Sequence, residues 1–273
     1  MADYSHYKTI IVEKENKVAT ITLNRPERLN AVGEGMHEEL EDIFGRVNYD
    51  DEINAVLLTG AGRAFCSGGD ISGMRNSSPP AESQKKSAPS VNIAFGRAPR
   101  RLMLNLLEIE APVIVAINGD AVGVGATIAL FGDIIYAAEN ARIGDTHVRM
   151  GLVAGDGGAV IWPLLVGINR AKEYLMTGDL IPAPEAERIG LINHVVPLEE
   201  LMPKAREMAE RLANGPTAAI RWTKASLSKV TRERLNLILD TSLALELFST
   251  RTEDHREAAM AWMEKRKPEF TGR

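Results

Sequence analysis

Two short apolar runs, "NAVLLTG" at residues 54–60 and "APVIVAIN" at 111–118, constrain this chain more than any other feature. Each is apolar throughout and bounded by turn formers, the pattern of a strand buried on both faces of an α/β core. Each is followed by a glycine-rich segment, "AFCSGGDI" (64–71) or "NGDAVGVGATIAL" (118–130), that leads toward helical sequence. Strand, glycine loop and helix form the recurring unit, and the expected class is α/β.

The flanking segments fit such a core. "YKTIIVEKENKVATITLN" alternates on both sides of a polar Glu15-Asn16 turn, as a hairpin does. Met36, Leu40, Ile43, Phe44 and Val47 recur at helical spacing and predict an amphipathic helix. The segment Ser72 to Ser90, rich in Ser, Pro and Lys, cannot supply a core; it reads either as a mobile lid or as a passive surface insertion. From Pro182 the pattern becomes almost wholly helical, through "APEAERIGL", "LEELMPKAREMAERLANG", "PTAAIRWTKASLSKV" and a stretch from Thr231 to Lys265. The expected organisation is an α/β core over residues 1–195 and a helical region over 196–273.

A chain of 273 residues can bury an extensive core. With 32 basic against 37 acidic residues and a net charge of -5, nothing in the overall charge attracts it to nucleic acid or to a membrane surface. Cys66 stands alone and cannot form an internal disulfide, which suits a reducing compartment. No apolar run approaches the ~20 residues of a membrane span and no leader pattern opens the sequence. A cytoplasmic protein working on a small molecule is the expectation.

Glycine loops let backbone N–H groups approach a ligand closely, and at a helix N-terminus such groups suit a phosphate or a developing oxyanion. "GVGATI" supplies two glycines of a dinucleotide fingerprint, but Ile128 stands where the third belongs, and no further Rossmann alternation follows Asp145. No Gly-Lys-Ser/Thr of a phosphate loop is present. A second cluster, "GDTHVRMGLVAGDGG" (144–158), gathers Asp145, His147, Arg149 and Asp156 among glycines, where neither helix nor strand requires them.

Five segments in order now carry a resemblance: "LNRPERLNAV" with the helix after it, "AFCSGGDI", "APVIVAINGDAVGVGATIAL", "DIIYAAENARIG" and "HREAAMAWMEKRKPEF". Over nearly its full length the chain resembles the enoyl-CoA hydratase/isomerase (crotonase) superfamily. The resemblance implies a spiral of ββα turns with a helical C-terminal region that builds a trimer, or a dimer of trimers. It implies an acyl-CoA thioester substrate, so that coenzyme A enters with the substrate and no metal or redox cofactor is needed. It also places an oxyanion hole for the thioester oxygen at the N–H groups of Gly69 and Val124.

By the same resemblance, hydratases carry two acid–base glutamates at positions that are Thr127 and His147 here. His147 titrates near neutrality and can move a proton, and Asp156, nine residues on, can orient it, share the proton or attack a carbon. The plainer readings stay open: His147 bonding backbone carbonyls, Asp156 capping the following helix, Asp145 satisfying a turn, Arg149 in an ion pair. Ala64, Cys66, Gly68, Asp70, Ile71 and Gly123, on the oxyanion loops, are expected to bind the substrate and its CoA. Arg25 and Arg28 are candidates for the CoA phosphates, and Lys224 for a ligand or intersubunit contact. Hydration, isomerisation, decarboxylation and thioester hydrolysis all remain open, beside a catalytically silent acyl-CoA-binding scaffold.

Overall fold

In the computed structural model, residues 3–33, 35–70 and 97–273 are described. Ile71 and the Ser72–Ser90 segment lie outside the described residues.

Strands β1 (Ile10–Glu15) and β2 (Val18–Leu23) form the expected hairpin. Its turn residues are Asn16 and Lys17, both left-handed at φ +52° and +65°, which matches the twist of a two-residue hairpin loop. β2 then pairs in parallel with β3 (Ala55–Gly60), and β3 with β5 (Val113–Ile117). β7 (Ile134–Ala138) and β10 (His194–Val196) complete a six-stranded sheet in the order β1-β2-β3-β5-β7-β10. Every residue of β3 and β5 is buried, which is why both read as continuous apolar runs.

A second, smaller sheet grows out of the loops that follow those strands. β4 (Ala64–Cys66), β6 (Asp120–Val122), β8 (Arg142–Gly144) and β9 (Ile181–Pro182) lie in that order. Strands of two or three residues have no periodicity to show in a sequence.

Helix α1 (Met36–Arg46) buries Met36, Leu40, Ile43 and Phe44 and packs against α2 (Arg97–Glu108). Then come α3 (Val124–Leu130), α4 (Gly158–Val166), α5 (Ile168–Thr177) and α6 (Ala183–Arg188). α7 (Leu198–Ala213) lies across β3, β5 and β7 and buries Leu201, Ala205 and Ala209, so the first C-terminal helix covers the main sheet. α8 (Thr217–Ser249) runs unbroken through Val230 and Thr231, where the sequence reading separates two segments. The break falls instead before α9 (Glu253–Met263), where the Thr252 hydroxyl accepts the His255 N–H at 3.1 Å. Lys224, on α8, is buried against Asp133 Oδ2 at 2.6 Å and donates to the Ala111 carbonyl at 2.8 Å. It ties α8 to the segments that lead into β5 and β7, at the N-terminal edge of those parallel strands.

The two glycine loops touch backbone to backbone. A Cβ on Gly125 would lie 2.6 Å from Cys66 Sγ and 2.8 Å from the Cys66 carbonyl, and one on Gly119 would overlap the Arg63 carbonyl. Cys66 is wholly buried there, and burial pushes its thiol up to about 12, so it serves as packing. Gly125→Ala must therefore push the loops apart, and the expected cost is roughly 1–3 kcal/mol of stability, read as a lowered urea midpoint with the m-value unchanged.

Candidate active site

Beyond β4 the chain turns at Gly68, with φ +101°. The Gly68 carbonyl accepts the Val32 N–H at 2.8 Å, and the Asp70 N–H donates to the Val32 carbonyl at 2.9 Å. Strand alternation then turns the Gly69 N–H the other way, and among the described residues it has no hydrogen-bond partner. Val124 opens α3 behind Gly123, whose φ of +55° makes the bend. The first N–H groups of a helix lack intrahelical acceptors, and Gly123 has no side chain to cap them, so the Val124 N–H is equally free. Gly69 and Val124 line one cavity of about 370 Å³, together with Gly68, Asp70, Gly123, His147, Asp156 and Glu246.

The Gly144–Gly158 segment supplies the titratable groups. Asp145 Oδ1 accepts the His147 backbone N–H at 3.1 Å and lies 2.6 Å from His147 Nδ1, so it satisfies the turn and holds the ring at once. On the other side, His147 Nε2 is 3.4 Å from Asp156 Oδ2. The Thr127 hydroxyl, on α3, donates to Asp156 Oδ1 at 3.1 Å. The Gly158 backbone N–H at the start of α4 also favours the charged Asp156, after the stronger influences of His147 and Thr127.

Burial alone would lower the pKa of His147, but the carboxylates of Asp156 and Asp145 outweigh it and raise the imidazole to about 10. At neutral pH the ring is a cation held between two aspartates. Burial raises Asp156 above the usual carboxylate range, against the pull of His147. Glu246, reaching in from α8, is held up to about 8 by burial and then by Asp156. His37 on α1 also lines the cavity, with a buried Nδ1 that has no partner and a pKa lowered by burial.

Donor atoms of Asp145, His147 and Asp156 lie within 4.8 Å of one another. Gathering them round a cation would require the doubly paired ring to surrender a proton that both carboxylates favour, so the chemistry of the set fits an ion-paired imidazolium better than a ligand set.

Of the residues singled out in the sequence, Gly68, Gly69, Asp70, Gly123, Val124, His147 and Asp156 line the cavity. Thr127, Ala64 and Cys66 stand behind it: Thr127 bonds Asp156, while the buried Ala64 carbonyl accepts from Asn30 and Asn118. Arg25 does not line it either, being engaged by Asp70 at 3.1 Å and by the Ala31 carbonyl at 2.8 Å. Arg28 lines an adjoining cleft of about 670 Å³ with Arg63, Ser67, Gly69, Asp70 and Trp262. Arg149 is paired with Asp179 at 2.8 Å. Glu246 was not singled out, because a lone glutamate on a long amphipathic helix carries no local signal.

The Enoyl-CoA hydratase/isomerase family model matches residues 13–273. The chain belongs to that family. An enoyl-CoA hydratase/isomerase from Mycobacterium paratuberculosis superposes with a TM-score of 0.84 at 36% identity, over 94% of this chain and 99% of the other. The crotonase fold is thus shown. Among family relatives, 1,2-epoxyphenylacetyl-CoA isomerase of Escherichia coli is 36% identical, covering 97% of this chain and 98% of its own. The short-chain-enoyl-CoA hydratase of Clostridium acetobutylicum is 38% identical, over 95% and 96%. Family membership makes the chain an acyl-CoA enzyme of this type.

The site predicts a pH-dependent stability. His147 has a folded pKa above the 6.5 of a free imidazole, so its stabilising contribution is full below pH 6.5 and is lost as pH rises toward about 10. Glu246 acts in the same sense, since ionising it in place becomes unfavourable between 4.5 and about 8. The urea midpoint should fall from pH 6.5 to pH 10, and Asp145→Asn should flatten that fall by lowering the His147 pKa. A midpoint that rises over this range would contradict the assigned ion pairs.

Proposed function

We propose that the protein binds an acyl-CoA thioester with its carbonyl oxygen on the Gly69 and Val124 N–H groups and moves a proton at the adjacent carbon, forming an enolate. The observation that carries this reading is that two unpartnered N–H groups share one cavity with a buried carboxylate, Asp156. Fixed dipoles of this kind need no reorganisation as negative charge develops, and a single such donor is worth about 2.7–4 kcal/mol in the transition state.

Asp156 is the base in this proposal. His147, already protonated, has no lone pair to offer; it acts as the fixed positive charge that pulls the Asp156 pKa down against burial. Thr127 holds the other oxygen and sets the direction of the attacking one. Neither hydratase glutamate is needed for this chemistry, and neither a metal nor a redox cofactor takes part.

Incubation with a panel of enoyl-, β-ketoacyl- and malonyl-type CoA thioesters in D2O, followed by mass spectrometry and NMR, tests the reading. Deuterium should enter the carbon next to the thioester, and Asp156→Asn should slow its entry by roughly 10²–10⁴. Dialysis against EDTA should leave the rate unchanged. Binding with no exchange and no turnover across the panel would favour the acyl-CoA-binding scaffold instead.

We also propose a cytoplasmic homotrimer or hexamer. Trp222, Leu227, Leu237, Leu245 and Phe248 leave α8 with exposed apolar surface, which is the signature of an interface. Among the described residues no helix is long and apolar enough to cross a membrane. Sedimentation velocity should give three or six times the chain mass of 29.8 kDa, and Leu237→Glu should shift it toward that of a single chain.

A further inference from the structure

The carboxylate of Glu246 lines the cavity, and the proposed function has no use for it. Glu246 comes from the last turn of α8, 90 residues after Asp156, and two serine hydrogen bonds hold that turn against the Asp156 loop. The Ser242 hydroxyl donates to the Gly155 carbonyl at 2.8 Å, and the Ser249 hydroxyl accepts the Val153 N–H at 3.3 Å. Ser242, Glu246 and Ser249 are spaced four and three residues apart, so they share one helix face, with the glutamate between the two attachments. Gly155 makes room for it: a Cβ there would lie 2.5 Å from Glu246 Oε2. Glu246 thus sits directly against the residue that precedes Asp156.

Among the described residues the Glu246 carboxylate has no hydrogen-bond or ion-pair partner. A half-buried carboxylate left without partners is costly for a folded chain, and it is most readily explained when the missing partner is a ligand. Burial and Asp156 hold its proton on near neutral pH, so the cavity contains a carboxylic acid beside the Asp156 carboxyl, which the His147 cation favours in its charged form.

We propose that Glu246 is a second acid–base residue of this site, which returns at the γ-carbon of an unsaturated acyl-CoA the proton that Asp156 takes from the α-carbon. The inference rests on the enolate reading above and names its reaction as a double-bond shift. Asp156 is tied through Thr127 to the helix that begins at Val124, and the proposal gives it the carbon beside the thioester; Glu246 enters the same cavity from a different element, α8, and is given the γ-carbon.

For a 3-enoyl-CoA the Asp156 carboxylate breaks the α C–H bond and keeps the proton. The electron pair passes into a dienolate whose oxygen rests on the two N–H groups. As the C=O bond re-forms, the β,γ double bond becomes α,β, and the γ-carbon takes the proton of Glu246. One C–H bond is broken and one is made, with no oxidant, reductant or water consumed. The two carboxyl groups end with their protonation exchanged and are reset by passing one proton between them.

The test uses trans-3-hexenoyl-CoA in D2O, with NMR following both α-deuteration and the appearance of the 2-enoyl product. Glu246→Gln should leave α-deuteration at the wild-type rate while product formation falls by roughly 10²–10⁴. Glu246→Asp should restore part of the product rate. Retained α-deuteration also reports that the variant is folded with its oxyanion site intact. Isomerisation by Glu246→Gln at the wild-type rate overturns the role of Glu246 and leaves the Asp156 reading standing. Loss of both readouts together would make Glu246 structural and overturn the proposal. Absence of α-deuteration in the wild type removes the Asp156 reading, and this inference with it.

Discussion

The close approach of two backbones is the constraint on which this site depends. β4 and β6 pair in parallel, and the loops leaving them meet where Gly125 faces Cys66 and Gly68 faces the Val122 carbonyl. A Cβ on Gly68 would lie 3.2 Å from that carbonyl, and its left-handed φ already disfavours any other residue. Because the loops can close this far, two N–H groups from chain positions 55 residues apart reach the wall of one cavity. The six-stranded sheet matters to the chemistry mainly as the rigid layer from which both loops start.

Around that pair the fold buries one imidazole and three carboxyl groups, and this combination is unstable unless charges are neutralised or matched. One aspartate, Asp145, matches the His147 cation at 2.6 Å. Asp156, at 3.4 Å, shares that cation, and its own charge adds to the burial that raises Glu246. Burial and like charge therefore favour the protonated form of both Glu246 and Asp156, and the His147 cation opposes this at Asp156. An acid and a base on one cavity follow from electrostatics, without either residue having an unusual chemistry of its own.

How much of this the sequence reveals depends on whether a feature is local. β3 and β5 are legible because burial on both faces leaves unbroken apolar runs, and α1 because one face repeats Met36, Leu40, Ile43 and Phe44. The 144–158 cluster is legible because charged residues among glycines satisfy no helix or strand. The short strands β8 and β9 are not, since two or three residues show no period. Nor is the continuity of α8, because the only apolar residue from Lys229 to Glu233 is the exposed Val230, yet the segment extends a helix that goes on to bury Leu235 and Leu239. Glu246 is invisible for a stronger reason: its meaning comes from Gly155, 91 positions earlier, and no local pattern connects the two.

The division of labour between loop and helix has a chemical consequence. Thr127 stands on α3, where the family resemblance puts a hydratase glutamate, and its hydroxyl lies 3.1 Å from Asp156 Oδ1 and 3.4 Å from the Gly123 carbonyl. A hydroxyl there cannot activate water, but it can fix the rotamer of a carboxylate from the facing loop. In the proposed scheme the proton-moving groups have shifted one layer outward, from α3 to the 144–158 loop and from that loop to α8. Water addition needs an acid and a base converging on one water molecule. A double-bond shift needs them spread along a carbon chain instead. Carboxyls that enter from two different elements, one tied to the oxyanion helix and one anchored four residues beyond Ser242, suit the second geometry better than the first. The helical C-terminal region is then part of the reacting site as well as of the assembly, which gives a physical reason for α8 to be stitched to the loop by two serines rather than resting on it through apolar contact alone.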